Sequence, residues 1–365
     1  MIISSATKSV IVSALKFLTG CLYLVTLLSA YGGYFNPHYW TLPSIGVLFF
    51  PYFATFTLIA AICWLIARKL ITGCVGIGIL LACGPTFSQA VPFRFSNSPS
   101  NPEKTFKMVT FNCFHLTDMR RENSEHNRSL DFLIHSDADF ICLQECYSLD
   151  HYPYLESYQK QLDSLKSIYP YISADKSEKE FLSKYPFTEE IINIGEPKSY
   201  SNIAVYKLKV DGNPLTVINV HLSSYKITDS KGQLITDFKS QSGVKNRLKE
   251  LKGSFYDKMR PAFRDRAEVS KAIAEYAESV EGNVIVCGDF NDVPGSWAYR
   301  NFTKRGFEDA YAQTGFGHII TFNEHLMWFH IDQILYKGDL VPLYVKKGKL
   351  DASDHYPLLA SFEFL

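Results

Sequence analysis

The residues best suited to chemistry in this chain are carboxylates, imidazoles and amides at the ends of short apolar runs. In Val284-Ile285-Val286-Cys287-Gly288-Asp289-Phe290-Asn291-Asp292, four strand-forming residues lead through a glycine to an Asp and an Asn spaced two apart. A short apolar run bounded by turn signals reads as a strand buried on both faces. Residues i and i+2 of an extended segment point to the same side, so Asp289 and Asn291 project together. One is an acceptor and the other both donates and accepts. The plainer reading is that both are turn formers, but the pattern recurs. Asn112 closes a run over 106–114, Glu145 follows Ile141-Cys142-Leu143-Gln144, and His221 closes Val217-Ile218-Asn219-Val220. Asp332 opens Ile331-Asp332-Gln333-Ile334-Leu335, and Asp354-His355 precedes the last apolar run. Taken singly, Asn112 reads as a helix cap, Glu145 as a partner for a lysine and His221 as a satisfied core histidine. Asp332 resists such a reading, because a buried carboxylate without a partner is costly.

Together these positions supply carboxylates, two histidines and two amides on strand ends. Oxygen donors with few cysteine or histidine partners suit a hard cation, Mg²⁺ with Mn²⁺ as its substitute, rather than zinc. If the strand ends converge, Glu145, Asp289 and His355 lie in one cleft.

Positioning them requires strands at 106–114, 140–144, 203–208, 215–222, 284 onward, 331–336 and 358–364. The turn Asp211-Gly212-Asn213-Pro214 joins two of these as a hairpin. Helices are expected over 123–136, 158–168 and 265–280, the last with Ala267, Ile273, Ala274 and Ala277 on its apolar face. Hairpins mixed with helices argue for a layered α+β fold rather than a doubly wound sheet.

The chain has 365 residues with 37 basic and 37 acidic side chains, so no global field marks a nucleic-acid partner. Its apolar residues, including 27 Phe and 22 Tyr, are unevenly spread. Residues 1–91 read as a membrane anchor, with apolar runs at 17–35, 44–67 and 70–91, each near the roughly 20 residues of a transmembrane helix. Arg68-Lys69 alone separates the second and third, which implies a tight helical hairpin. A cleaved signal peptide is the competing reading of the first run, since Lys8 precedes it and Ser29-Ala30 mimics a cleavage site. Two further spans favour an uncleaved helix. Lys8, Lys16, Arg68 and Lys69 fall on one side of a three-span arrangement, which puts that side in the cytoplasm. The rest of the chain is then on the non-cytoplasmic face of a multi-pass protein, although Arg94 and Lys104 lie just past the third span. Residues 92–104, rich in Pro, Ser and Asn, read as a linker, and 105–365 as the catalytic domain.

The ordered set Asn112, Leu143-Gln144-Glu145, Val220-His221-Leu222, Gly288-Asp289-Phe290-Asn291, Ile331-Asp332 and Ser353-Asp354-His355 closely resembles the endonuclease/exonuclease/phosphatase superfamily. Ser183-Lys184-Tyr185-Pro186 and Asn291-Asp292-Val293-Pro294 match smaller motifs of the same superfamily. His330 departs from it, standing where many members carry Arg. The resemblance spans 105–365 and implies a four-layer αββα sandwich, here preceded by three transmembrane helices. The implied activity is metal-assisted hydrolysis of a phosphate ester by water attack on phosphorus. Carried over by motif, Glu145 binds Mg²⁺ with Asn112 beside it and Asp354 completing or supporting the shell. Asp332 orients His355, which activates water or stabilises the pentavalent phosphorus. Asp289 orients or deprotonates the water, and the superfamily leaves open whether Asp289 or His355 is the base. Asn291 and His221 hold phosphate oxygens, and the metal is Lewis acid and template.

Fold alone does not choose the substrate. A nuclease should present a basic face, and Lys239, Lys245, Arg247, Lys249 and Lys252 do cluster, although interspersed acids make a solvated helix face the better reading. The first reading is a phosphodiesterase or endonuclease-type hydrolase. Attachment to the bilayer favours a lipid headgroup or another substrate met at the membrane, although tethered nucleases exist, so a phospholipid headgroup hydrolase of sphingomyelinase type is the alternative. A non-catalytic membrane binding protein is the remaining alternative, which the complete polar set opposes. No protein partner is legible. Cys21, Cys63, Cys74 and Cys83 read as apolar packing residues of the membrane segments, as do Cys142 and Cys287 mid-strand. Cys113 and Cys146 each follow a site residue and should be neighbours on the other side of the sheet, as reduced thiols rather than a disulfide.

Overall fold

The computed structural model of the chain describes residues 5–119, 126–146, 149, 157–174, 178–194, 202–224, 244–324 and 327–365. One sheet runs in the order β13 (Leu340–Lys347), β14 (Leu358–Phe364), β1 (Thr105–Asn112), β2 (Phe140–Gln144), β4 (Lys179–Ser183) and β3 (Tyr171–Ile172). The second runs β5 (Phe187–Asn193), β6 (Asn202–Val210), β7 (Asn213–His221), β8 (Val284–Asp289), β12 (Asp332–Lys337) and β9 (Glu308–Asp309). A separate hairpin pairs β10 (Phe322–Glu324) with β11 (Met327–Phe329). The β6–β7 turn has positive φ at Asp211 and Gly212, the backbone that a tight hairpin requires.

Side-chain parity builds the layers. In β1, Phe106 and Met108 enter the core between the sheets, whereas Val109 and Phe111 face outward. Phe140 and Cys142 of the first sheet meet Tyr206, Val217, Ile285, Cys287 and Ile334 of the second in this inner core. Helices α6 (Arg128–Ile134) and α7 (Gln159–Ile168) cover the outer face of the first sheet. Helices α8 (Val244–Ser279) and α9 (Trp297–Thr303) cover that of the second, and a short α10 (Ala310–Thr314) follows. The result is a mixed α+β fold with helices outside two facing sheets. The expected helix over 123–136 is observed only as α6, its first residues lying outside the described ones. Lys239 and the side chains of the rest of the basic cluster also fall outside them.

The N-terminal part comprises α1 (Ser5–Ala30), α2 (Leu42–Leu48), α3 (Phe50–Ile66), α4 (Leu70–Ala82) and α5 (Gly84–Ala90). Among the described residues only Thr7–Ala30 forms a single helix long and apolar enough to cross a membrane. The other two expected spans are bent pairs, α2 meeting α3 at 68° and α4 meeting α5 at 64°. Pro51 and Pro85 sit in the first turns after the breaks, where a missing N–H costs nothing. At 1.5 Å per residue α3 is about 25 Å long and α4 about 20 Å, both short of a hydrocarbon core of about 30 Å. Large apolar side chains such as Phe17, Leu24, Phe56, Ile62 and Ile71 are exposed on these helices.

Contacts fix the helix directions. Trp64 Nε1 donates to Thr19 Oγ1 (2.9 Å), and Thr26 and Thr57 share a hydrogen bond of 2.7 Å, so α1 and α3 are antiparallel. Tyr23 OH donates to the Thr72 carbonyl (3.2 Å) and Tyr31 OH to that of Ala82 (2.6 Å), so α1 and α4 run together. Ala30, Phe50 and Ala90 therefore meet at one end, and the Arg68-Lys69 turn lies at the other.

The helical part shares a core with the sheets. Val47 and Leu48 of α2 pack with Met259, Phe263, Val293, Phe329 and Ile331. Tyr52 OH donates to the Trp328 carbonyl (3.0 Å), Arg264 Nη2 to that of His38 (2.9 Å), and the Arg300 guanidinium lies 3.3 Å over the Tyr34 ring. A Cβ added at Gly33 would stand 1.8 Å from the Gly295 carbonyl oxygen. Gly33→Ala is therefore expected to part these surfaces at a cost of about 1–3 kcal/mol, read as a lower Tm for the full-length chain in detergent. Residues 92–104 are stitched down rather than loose. The Asn97 amide N–H donates to the Leu343 carbonyl, and the Ser100 and Asn101 N–H groups donate to the Glu363 carboxylate.

Candidate active site

Parity explains why the polar strand ends converge. Asn112, His221, Asp289 and Asp332 lie at the ends of their strands on the positions that face between the sheets, continuing the inward set Met108, Val217, Ile285 and Ile334. Register brings His221 opposite Asp289 on parallel β7 and β8, and Asp332 opposite Asp289 on antiparallel β12 and β8. Gly288 permits the close β7–β8 approach: its φ is +133°, and a Cβ there would stand 2.0 Å from the Val220 carbonyl oxygen. Beneath the site a polar layer closes the apolar core, with Gln144 Nε2 donating to Asn219 Oδ1 (2.7 Å) and Asn219 Nδ2 to the Leu143 carbonyl (2.9 Å).

Glu145 breaks the parity. One residue past Gln144, it would face outward in a regular strand, but its φ of 49° turns it back. Its Oε1 accepts from Asn112 Nδ2 at 3.0 Å, and the same amide donates to Asp289 Oδ2 at 3.1 Å across the gap between the sheets. His221 Nε2 lies 3.6 Å from Glu145 Oε1 and 3.8 Å from Asp289 Oδ2. Asn291, also at φ 49°, donates its backbone N–H to Asp289 Oδ1 (2.7 Å) and its amide to Asp289 Oδ2 (3.0 Å) and the Leu222 carbonyl (2.9 Å). His355 Nδ1 is paired with Asp332 Oδ2 at 2.9 Å, while its Nε2 faces Asp289 Oδ2 at 3.6 Å. Asp354 Oδ1 accepts from its neighbour Ser353, whose hydroxyl also donates to the Asn112 carbonyl. The structure thus joins Asn112, Glu145, His221, Asp289, Asn291, Asp332 and His355 in one contact network. Asp354 reaches it through Ser353 and by its charge, which acts on Glu145.

Burial dominates the electrostatics. It raises the Asp289 carboxyl to about 7, with His355 pulling the other way. It lowers His221 to about 3, with the Lys179 charge adding to the effect. Burial also disfavours the His355 imidazolium, but Asp332 and Asp289 outweigh it and hold the ring well above its ordinary value. Burial raises Glu145, so a cation at its oxygens would relieve a desolvated carboxylate.

Two groupings can hold a cation. Asp289, Asp332 and His355 place ligating atoms within 4.8 Å of one another. His355 Nδ1 already takes Asp332 Oδ2, however, and an ion there would break that pair. Glu145 is the more open carboxylate, with 26% of its side chain exposed, and has the Asn112 amide beside it and Asp354 nearby.

Several contributors carried no sequence signal. Thr321 Oγ1 accepts from the N–H groups of Ile331 and Asp332, and the Phe322 ring lies edge-on to His355 at 5.0 Å. Lys179, buried at the start of β4 opposite Gln144, looks in sequence like a surface lysine. His330, fully buried, has its ring edge-on to Tyr311 at 5.3 Å. Cys113 and Cys146 are free, buried thiols, and their mutual contact raises Cys146. Cys142 and Cys287 face each other across the inner core. Of the four cysteines before residue 92 only Cys83 is buried. Cys21, Cys63 and Cys74 are exposed on the helix surface instead of packed.

The sequence model of the Endonuclease/Exonuclease/phosphatase family matches residues 109–355, and that of a domain of unknown function (DUF8431) matches 12–89. No curated protein matches. Similar solved structures include D. rerio TDP2 complexed with a single-strand DNA product, at 16% identity and a TM-score of 0.49, over 71% of this chain and 99% of that one. Sphingomyelinase C from Streptomyces griseocarneus is 15% identical with a TM-score of 0.44, over 70% of this chain and 99% of that one. Staphylococcus aureus beta toxin is 18% identical with a TM-score of 0.41, over 70% and 99%.

Proposed function

Because the chain belongs to the Endonuclease/Exonuclease/phosphatase family, we propose that it is a membrane-anchored, Mg²⁺-dependent hydrolase that splits a phosphate ester, foremost a phosphodiester, by water attack on phosphorus. The observation that carries this reading is the chain Asp332–His355–Asp289 facing Glu145, with Asn112 bridging the two sides. Asp289, with a proton affinity brought near neutrality, takes the proton of the attacking water, since a base works best near the operating pH. His355, kept charged by two carboxylates, donates to a phosphate oxygen as negative charge builds. His221 holds a further oxygen, whereas Asn291, whose amide hydrogens are already given to Asp289 and the Leu222 carbonyl, positions the base rather than the phosphate. The donor set fits a hard cation: Glu145 and Asp354 would hold Mg²⁺, with Asn112 orienting Glu145. When bound, the ion supplies Lewis-acid stabilisation of the phosphoryl oxygens.

In the bilayer, α1 and the two bent pairs anchor the protein with Arg68-Lys69 in the cytoplasm and the sheets on the other face. A reporter fused after Leu365 that works only in the cytoplasm would overturn that orientation. The packing of α2 against Val293 and Ile331, each next to a site segment, favours an ester met at the membrane surface, a lipid headgroup before nucleic acid.

The test is turnover by the full-length chain in detergent with Mg²⁺. The panel is bis(4-nitrophenyl) phosphate, 4-nitrophenyl phosphate, plasmid DNA, RNA, sphingomyelin, glycerophospholipids and inositol phosphates. Hydrolysis of a diester supports the reading, and no turnover of any compound by folded protein leaves a non-catalytic binding protein. Glu145→Gln is expected to raise the Mg²⁺ concentration for half-maximal rate by about 10- to 100-fold, in line with the loss of a metal-site carboxylate contact. An unchanged metal dependence would move the ion to Asp289, Asp332 and His355.

A further inference from the structure

One charged side chain of α8 is turned wholly inward. Arg266 is 0% exposed. Its Nη1 donates to the Ser223 carbonyl at 2.7 Å, and its Nε lies 3.5 Å from Asp292 Oδ2. Both partners belong to segments that carry site residues: Ser223 is two residues past His221, and Asp292 directly follows Asn291. Those segments are also tied to each other, since the Leu222 N–H donates to the Asp289 carbonyl and the Asn291 amide to the Leu222 carbonyl, each at 2.9 Å. Asp292 braces its own turn, its Oδ1 accepting from the Val293 N–H at 3.0 Å. The guanidinium lies over the Phe263 ring, 4.6 Å from its centroid, and Phe263 packs with Val47 and Leu48 of α2.

A fully buried ion pair is poor value as mere stabilisation, because desolvating two charges offsets most of their attraction. It is well suited to fixing one arrangement, since a planar guanidinium presents donors in a rigid fork. We propose that Arg266 is a positioning residue of the active site: its guanidinium locks the Ser223 carbonyl, two residues past His221, and the carboxylate after Asn291 into one register, so that His221 and Asp289, which Asn291 holds, face the same phosphate. This rests on the hydrolase reading for its catalytic consequence and on geometry alone for the lock. The anchor takes part, because α2 supports the ring on which the guanidinium lies.

The test compares full-length wild type, Arg266→Gln, Arg266→Lys and Asp292→Asn in detergent. Two readouts are used: bis(4-nitrophenyl) phosphate hydrolysis with Mg²⁺, and amide hydrogen exchange across 221–224 and 289–294. Arg266→Gln is expected to lower kcat by about 10- to 100-fold, the usual cost of losing a supporting contact, with KM nearly unchanged and faster exchange in both segments. Arg266→Lys, which keeps the charge but loses the fork, should recover only part of kcat. Asp292→Asn should loosen 289–294 more than 221–224. A lower Tm with wild-type kcat per folded molecule, or exchange unchanged in both segments, would reduce Arg266 to a packing residue. If wild type hydrolyses no diester, the hydrolase reading falls and exchange alone decides the lock. If Arg266→Gln does not fold, Arg266→Lys and Asp292→Asn carry the same comparison.

Discussion

Replacing His355 with glutamine is expected to lower kcat by about 10²- to 10³-fold, the usual cost of losing a donor aimed at developing negative charge, while Mg²⁺ affinity changes little. Glutamine roughly preserves the volume and one donor but cannot be held charged by Asp332 and Asp289, which flank the ring at 2.9 and 3.6 Å. Glu145, on the other side of Asn112, keeps its contacts. Metal titration by calorimetry beside steady-state kinetics separates the two effects. A variant retaining more than about a tenth of wild-type activity would remove His355 from the reaction. Asp332→Asn is the companion, keeping the shape and removing the charge that sustains the imidazolium.

Asp289→Asn is expected to abolish turnover by about 10³-fold and, with metal chelated, to make the protein more stable at neutral pH. Burial raises the Asp289 carboxyl from 3.8 to about 7, so the folded chain binds this proton more tightly than the unfolded one. Between about pH 4 and pH 7 the unfolded state is the more deprotonated, and stability falls as pH rises through that window. Asparagine has no such proton and removes this slope. A pKa unit corresponds to about 1.4 kcal/mol, but the new amide NH₂ would face the Asn112 and Asn291 donors. A net gain of about 1 kcal/mol at pH 7.5 is therefore expected. Thermal unfolding of both proteins at pH 5 and 7.5 checks it, and a variant less stable than wild type at pH 7.5 would show that Asp289 is held for structural reasons.

Much of the site was legible because strand parity is simple. An Asp that opens an apolar strand (Asp332) and an Asp and Asn two apart after another (Asp289, Asn291) can face only one way once the sheets pack. Glu145 was legible by motif but not by parity, since the left-handed backbone that re-aims it belongs to a non-glycine residue and leaves no mark in composition. Arg266 was hidden because it sits among Arg264, Asp265 and Glu268 in a helix whose charges otherwise read as solvated. The bends in the N-terminal helices were marked by Pro51 and Pro85, yet an unbroken apolar run conceals a change of direction, because hydropathy measures content and not geometry. The strand Leu340–Lys347 carries no site residue that would mark it in the sequence.

The stitched segment 92–104 and the shared core under α2 have a kinetic corollary. If α1–α5 anchor the chain in a bilayer as proposed, these contacts hold the opening of the site at a fixed height above it. The opening could then neither swing toward solutes in the aqueous phase nor follow a substrate out of the leaflet. Encounter with a membrane-borne ester would become a two-dimensional search governed by how crowded the surface is. On that reading, diluting a cleavable lipid with inert lipid should slow turnover even when its total amount in the sample is held fixed.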